Sequence, residues 1–142
     1  MPDWKDRVLK ALYVSTDHTG DFELLELPLR ELWDRAGIKW PCQVRTEPAQ
    51  DNGFIMVVDD DGYDRGLRWN PRAQYLSQYP ADHGIVGGAL FFSEAWEGGG
   101  IDLIDLTQTA QDWLMAESRK HSYLDWRMTN KNLFARHGYL VE

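Results

Sequence analysis

Four acidic residues, Asp59, Asp60, Asp61 and Asp64, and two glycines, Gly62 and Gly66, follow five apolar residues in FIMVVDDDGYDRGLRW, residues 54–69. Clustered carboxylates beside glycine are what a calcium loop is made of. An EF-hand loop with Gly62 sixth needs oxygen ligands at its first, third and fifth places and a glutamate twelfth. Asp59 and Asp61 fit, but Val57 stands first and Arg68 twelfth. The loop fails that test, and it follows a β-type run where a helix is required. A hairpin tip fits better: Asp61 and Gly62 suit the positive φ values of a primed turn, with YDRGLRW as the return strand and the other carboxylates directed into water.

Other chemistry is thinner. Four histidines are present, His18, His83, His121 and His137. His121 and His137 fall near helix C-termini, where imidazole complements the dipole. His83 precedes a glycine and opens a stretch with Glu94 and Glu97, so these three are the candidate catalytic or metal-binding group. No spacing among them matches a ligand motif, and no metal or cofactor is expected. Cys42, the single cysteine, reads as a small buried hydrophobe, since no base is placed to activate it. Residues 98–100 are glycines, but the lysine and hydroxyl of a phosphate loop are missing. DHTG, 17–20, reads as a turn and has no second copy.

Charge is distributed unevenly. Residues 73–118 contain no Lys or Arg but seven acids: Asp82, Glu94, Glu97, Asp102, Asp105, Asp112 and Glu117. The net charge of −8 opposes binding to a phosphate backbone, which rests on Lys and Arg. It favours a basic protein surface as partner. Glu94, Trp96, Glu97, Asp102 and Asp105 are the expected partner-binding residues, with Trp96 as aromatic anchor. Of seven tryptophans, Trp4, Trp33 and Trp113 lie on helical apolar faces and read as core. Trp40, Trp69, Trp96 and Trp126 fall at element ends or in loops, where a large aromatic is either a lid over the core, the favoured reading, or an exposed anchor for a partner.

These groups need a scaffold, and 142 residues with 43% apolar content are enough for one domain, 1–142, with a packed core. No apolar run reaches the ~18 residues of a membrane span, and one cysteine forms no internal disulfide, so a cytoplasmic protein without membrane contact is expected. Asp3 caps a first helix with Trp4, Val8, Leu9, Leu12 and Tyr13 at helical spacing. A second helix carries Leu29, Leu32, Trp33 and Ala36 and stops at Gly37. Pro41 and Pro48 bound a short edge strand. FIMVV, apolar throughout, is a strand covered on both faces. Asn70 and Pro71 start a helix to about Tyr79. HGIVGGALFFSEAW is a strand with a bulge or close approach at Gly87 and Gly88, and a third strand follows GGG. Asp105 with Gln108 resembles a capping pair for the helix LTQTAQDWLMAESRKH. A last helix runs from near Thr129 to Gly138. The class is α+β, with a small antiparallel or mixed sheet of about four strands against three to five helices. The leading functional expectation is a small acidic interaction protein of the inhibitor, immunity or regulatory kind. The alternative is a small enzyme or ligand binder with an aromatic-lined pocket around His83, Glu94 and Glu97.

Overall fold

The computed structural model describes residues 6–17, 22–44, 54–77, 84–97, 100–119, 126 and 128–136; for 95–97, 100–102, 118–119 and 133–134 it describes the backbone alone. In chain order the elements are β1 (Val8–Val14), β2 (Glu23–Pro28), α1 (Leu29–Ala36), β3 (Pro41–Val44), β4 (Phe54–Asp59), α2 (Pro71–Ser77), β5 (Ala89–Glu97), β6 (Gly100–Ile104), α3 (Gln108–Arg119) and α4 (Lys131–Arg136). The class is α+β. Among the described residues the sheet is antiparallel and has six strands, against about four expected, in the order β2-β1-β5-β4-β3 with β6 also on β5.

Alternation along the central strands divides the core in two. Leu12, Val14, Phe54, Met56, Val58, Ala89 and Phe91 pack beneath α2 and α3, together with Ala73, Leu76, Leu106, Ala110 and Leu114. Leu9, Ala11, Ile55, Val57, Leu90 and Phe92 pack beneath α1, against Leu29, Leu32, Trp33 and Ala36. Helices on both faces thus bury the middle of the sheet. Aromatic edges fill each layer: Trp33 meets Phe92 at 5.9 Å, and Phe54 meets Phe91 at 5.5 Å. Full burial of one such side chain is worth about 1.5–3 kcal/mol.

The same double coverage corrects the first expected element. Residues 8–14 form strand β1 and not a helix. VLKALYV sends Leu9 and Ala11 to one layer and Leu12 and Val14 to the other. With apolar residues on both parities the period of two is erased, and positions 8 and 12 mimic a helical stripe. Trp4 and the Asp3 cap lie outside the described residues.

The hairpin expected after β4 is absent as well. β4 pairs with β3 and β5, and YDRGLRW does not return along it. Instead residues 61–67 make one helical turn closed by Gly66 at φ 67°. Leu67 N–H donates to Gly62 C=O and Gly66 N–H to Tyr63 C=O, both at 3.0 Å, the bond pattern of a Schellman stop. α1 ends the same way at Gly37, φ 71°, with Ile38 N–H on Trp33 C=O and Gly37 N–H on Asp34 C=O. The expected stop at Gly37 is therefore present.

α2 begins where Asn70 and Pro71 direct it. The fully buried Asn70 accepts from Ala73 N–H (3.1 Å) through its side-chain oxygen, and its amide donates to Val14 C=O and Gly87 C=O, each at 2.9 Å. One side chain thus caps a helix and joins it to β1 and to the approach to β5. α3 is capped by Thr107, whose hydroxyl accepts from Ala110 N–H at 3.2 Å, so the Asp105–Gln108 pair is not the cap. Thr107 N–H in turn donates to Ser93 Oγ on β5 (2.9 Å). Among the described residues no helix is long and apolar enough to cross a membrane.

Candidate functional site

β5 is longer than the strands flanking it. β1 pairs with it only along Ala89–Phe91 and β4 only along Leu90–Ser93. Beyond Ser93 its register continues with β6 alone, from Ser93 opposite Ile104 to Glu97 opposite Gly100. Among the described residues, Glu94–Glu97 and Gly100–Leu103 therefore form a two-stranded arm beyond the rest of the sheet. Four of the five expected partner-binding residues, Glu94, Trp96, Glu97 and Asp102, lie on it.

Register separates the acids on this arm. Glu94 is opposite Leu103, and Trp96 opposite Ile101; both pairs share the parity of Phe92, on the α1 side. Glu97 and Asp102 have the parity of Ser93, the other side. Glu94 and Glu97 thus stand at positions of opposite parity and are not brought to one face by the strand. His83, the third member of the expected catalytic group, lies outside the described residues, as do His18, His121 and His137. Among the described residues no three His, Cys, Asp or Glu side chains stand together as metal ligands.

Asp105, at the base of the arm, has a different task. Lys10 is the β1 residue in line with Ser93, where β5 has already turned to β6. Its N–H donates to Asp105 Oδ1 at 2.9 Å, and its C=O accepts from Leu106 N–H at 2.9 Å. Asp105 and Leu106 thereby satisfy a β1 backbone that β5 leaves unpaired, and they anchor the arm to the sheet.

The acidic turn after β4 is also structural. Asp59 is buried, against the expectation that its carboxylate points into water. It accepts from Lys39 N–H (3.0 Å), from Asp61 N–H (2.9 Å) and from the Arg65 guanidinium. Arg65 donates also to Gly37 C=O at 3.0 Å, so one ion pair fastens the end of α1 to the end of β4. Burial alone raises the Asp59 pKa, but the two backbone donors and Arg65 together hold it below the usual aspartate value. Asp61 is raised by slight desolvation and by Asp64 and Asp59 beside it. Cys42 is half-buried, and burial followed by the neighbouring Asp60 pushes its thiol upward, which opposes nucleophilic use.

Of the tryptophans expected as lids, Trp69 is 2% exposed, with Nε1 donating to Gln74 (3.2 Å), and Trp126 packs against Trp69 and Tyr75 at 6.4 and 5.6 Å. Trp40 is not a lid: it is 64% exposed, because the turn to β3 places it past the end of the core. The Trp96 side chain lies outside the described residues. The β2 edge, which no strand meets among the described residues, and the Asp59–Arg65 pair have no motif in the sequence: ELLELP does not alternate, and only the six-residue spacing of an acid and a base marks the pair.

No family model matches the chain, and no curated protein does. Among solved structures the chain is similar to part of the crystal structure of small RNA methyltransferase HEN1, with a TM-score of 0.53 and 20% identity. The similarity covers 80% of this chain and 16% of that one, so the chain spans about a sixth of its length. At that identity the likeness concerns the fold.

Proposed function

We propose that this protein is a small acidic interaction protein of the inhibitor, immunity or regulatory kind, which presents the β5–β6 arm to a basic surface of a macromolecular partner. The observation that carries the reading is the arm itself: Glu94, Glu97 and Asp102 stand on a ribbon with no flanking strand among the described residues. Acids on both parities of a ribbon that no strand flanks among the described residues suit a basic cleft, whereas acid–base or metal chemistry needs its groups converging on one point. Trp96, between Glu94 and Glu97, is the aromatic anchor of this reading.

A pull-down from native extract at low and high salt supplies the partner. Association is then measured for the wild type and for the triple variant Glu94→Gln, Glu97→Gln, Asp102→Asn. Long-range attraction acts on encounter, so the variant should associate more slowly, by about tenfold or more at low salt, and with a flatter salt dependence. Asp105 is kept intact because it holds the arm to β1. Equal association rates at low salt exclude the proposal. Abolition of an enzymatic turnover by Glu94→Gln alone would favour the pocket reading instead.

A further inference from the structure

β2 closes one end of the sheet, and its hydrogen-bond phase can be read from one contact. Leu29 N–H donates to Arg7 C=O, so with Val8 opposite Pro28 the bonded pairs of this ladder are those of Leu27, Leu25 and Glu23. Leu24 and Glu26 are therefore the non-bonded positions, and their N–H and C=O groups face outward. Among the described residues no strand meets them. Leu24 is 43% exposed and Val8, on the same side of the sheet, 54%. Acids and bases are balanced along this edge: Arg35 contacts Glu23 at 3.1 Å, and Glu26 has Lys10 as its Cα partner in the ladder. Such an edge has little net charge with which to draw a basic strand, unlike the arm.

We infer that this edge pairs with the same edge of a second copy of the chain, antiparallel, with Leu25 facing its own two-fold mate. Three symmetric registers bring outward-facing residues together. Pairing Leu24 with Leu24 sets Glu26 beside Phe22, outside the strand. Pairing Glu26 with Glu26 opposes like charges and puts Pro28, which has no N–H, against Leu24. Pairing Leu24 with Glu26 of the second copy is the register in which every outward N–H of the strand finds a carbonyl, giving four backbone bonds. It also sets each glutamate opposite a leucine, Glu23 to Leu27 and Glu26 to Leu24, and places Lys10 next to each Glu26. Pro28 ends the ribbon at that length and prevents open-ended growth. The interface is at the small end of the size range, so the dimer exchanges with monomer as concentration changes. β1 stands between this edge and β5, which makes the pairing independent of the arm and its partner.

In this register the two residues at position 25 form a non-bonded antiparallel pair, with Cα atoms about 4.5 Å apart, inside the range of a disulfide. The test uses the full chain with Cys42→Ser and either Leu25→Cys or Leu27→Cys under mild oxidation. Leu25→Cys should cross-link to a covalent dimer, and Leu27→Cys, opposite Glu23, should not. Sedimentation of the wild type should show mass rising toward a dimer with concentration, while Glu26→Pro, which removes an outward N–H and no bond to β1, should remain a folded monomer. A wild type that is monomeric throughout, or position-25 cross-linking no faster than position-27, overturns the inference. The cysteine comparison decides even where Glu26→Pro fails to fold.

Discussion

Asp59 keeps its charge in a buried place because Lys39 N–H, Asp61 N–H and Arg65 all donate to it. Asp59→Asn keeps an acceptor but loses the ion pair, and should cost about 1–3 kcal/mol in urea unfolding at neutral pH. Asp61→Asn, by contrast, removes a carboxylate that its neighbours repel, and should not destabilise. The pH dependence has a definite sign. A carboxyl whose folded pKa is depressed stabilises the fold above its unfolded value, about 3.9, and that contribution is lost as pH falls through the folded value. The gap between wild type and Asp59→Asn should thus be constant near neutrality, begin to close below about pH 4 and close fully in stronger acid. A gap independent of pH would mean that shape and not charge holds the turn. Asn70 is the neutral counterpart. Asn70→Ala removes a cap and leaves two buried carbonyls short of a donor, and about 2–4 kcal/mol should be lost.

Among the elements, the close approach of β5 to α1 gives the sharpest expectation. A Cβ on Gly88 would lie 2.5 Å from Ala36 C=O, an atom that cannot rotate away. Gly88→Ala should force the helix off the sheet and cost about 1–3 kcal/mol, read as a lower midpoint of thermal unfolding. On the opposite layer Leu114 is fully buried, and Leu114→Ala should cost about 2–5 kcal/mol. These elements were legible where a local signal sufficed: Gly37 stops α1, Asn70 and Pro71 start α2, and FIMVV is apolar at every position because both layers cover it. Phe54, Met56, Val58, Leu90, Phe92 and Leu103 read as core on the same grounds and are buried. The misreadings share a cause. β1 borrows helical spacing from two packed faces, β2 has no turn chemistry of its own to announce it, and the acidic turn looks like a hairpin until a distant strand, β5, takes the place of the return segment. For the candidate site the acids were legible as a cluster, but their parity on the arm depends on register, which only the fold fixes.

For the whole molecule, the order β2-β1-β5-β4-β3 sets β1 inside the sheet, between the edge strand β2 and β5, a strand from the second half of the chain. Without β5, β1 would have only β2 beside it, and Leu12 and Val14 would lack the layer they enter in the finished fold. The β1–β5 pair closes a long loop before its contacts return any stability, which makes this a fold of high contact order. Synthesis proceeds from the N-terminus, so Leu12 and Val14 are made well before the strands and helices that cover them. The place between β2 and β5 that buries Leu12 and Val14 in the finished protein makes their burial wait on the synthesis of residues far downstream.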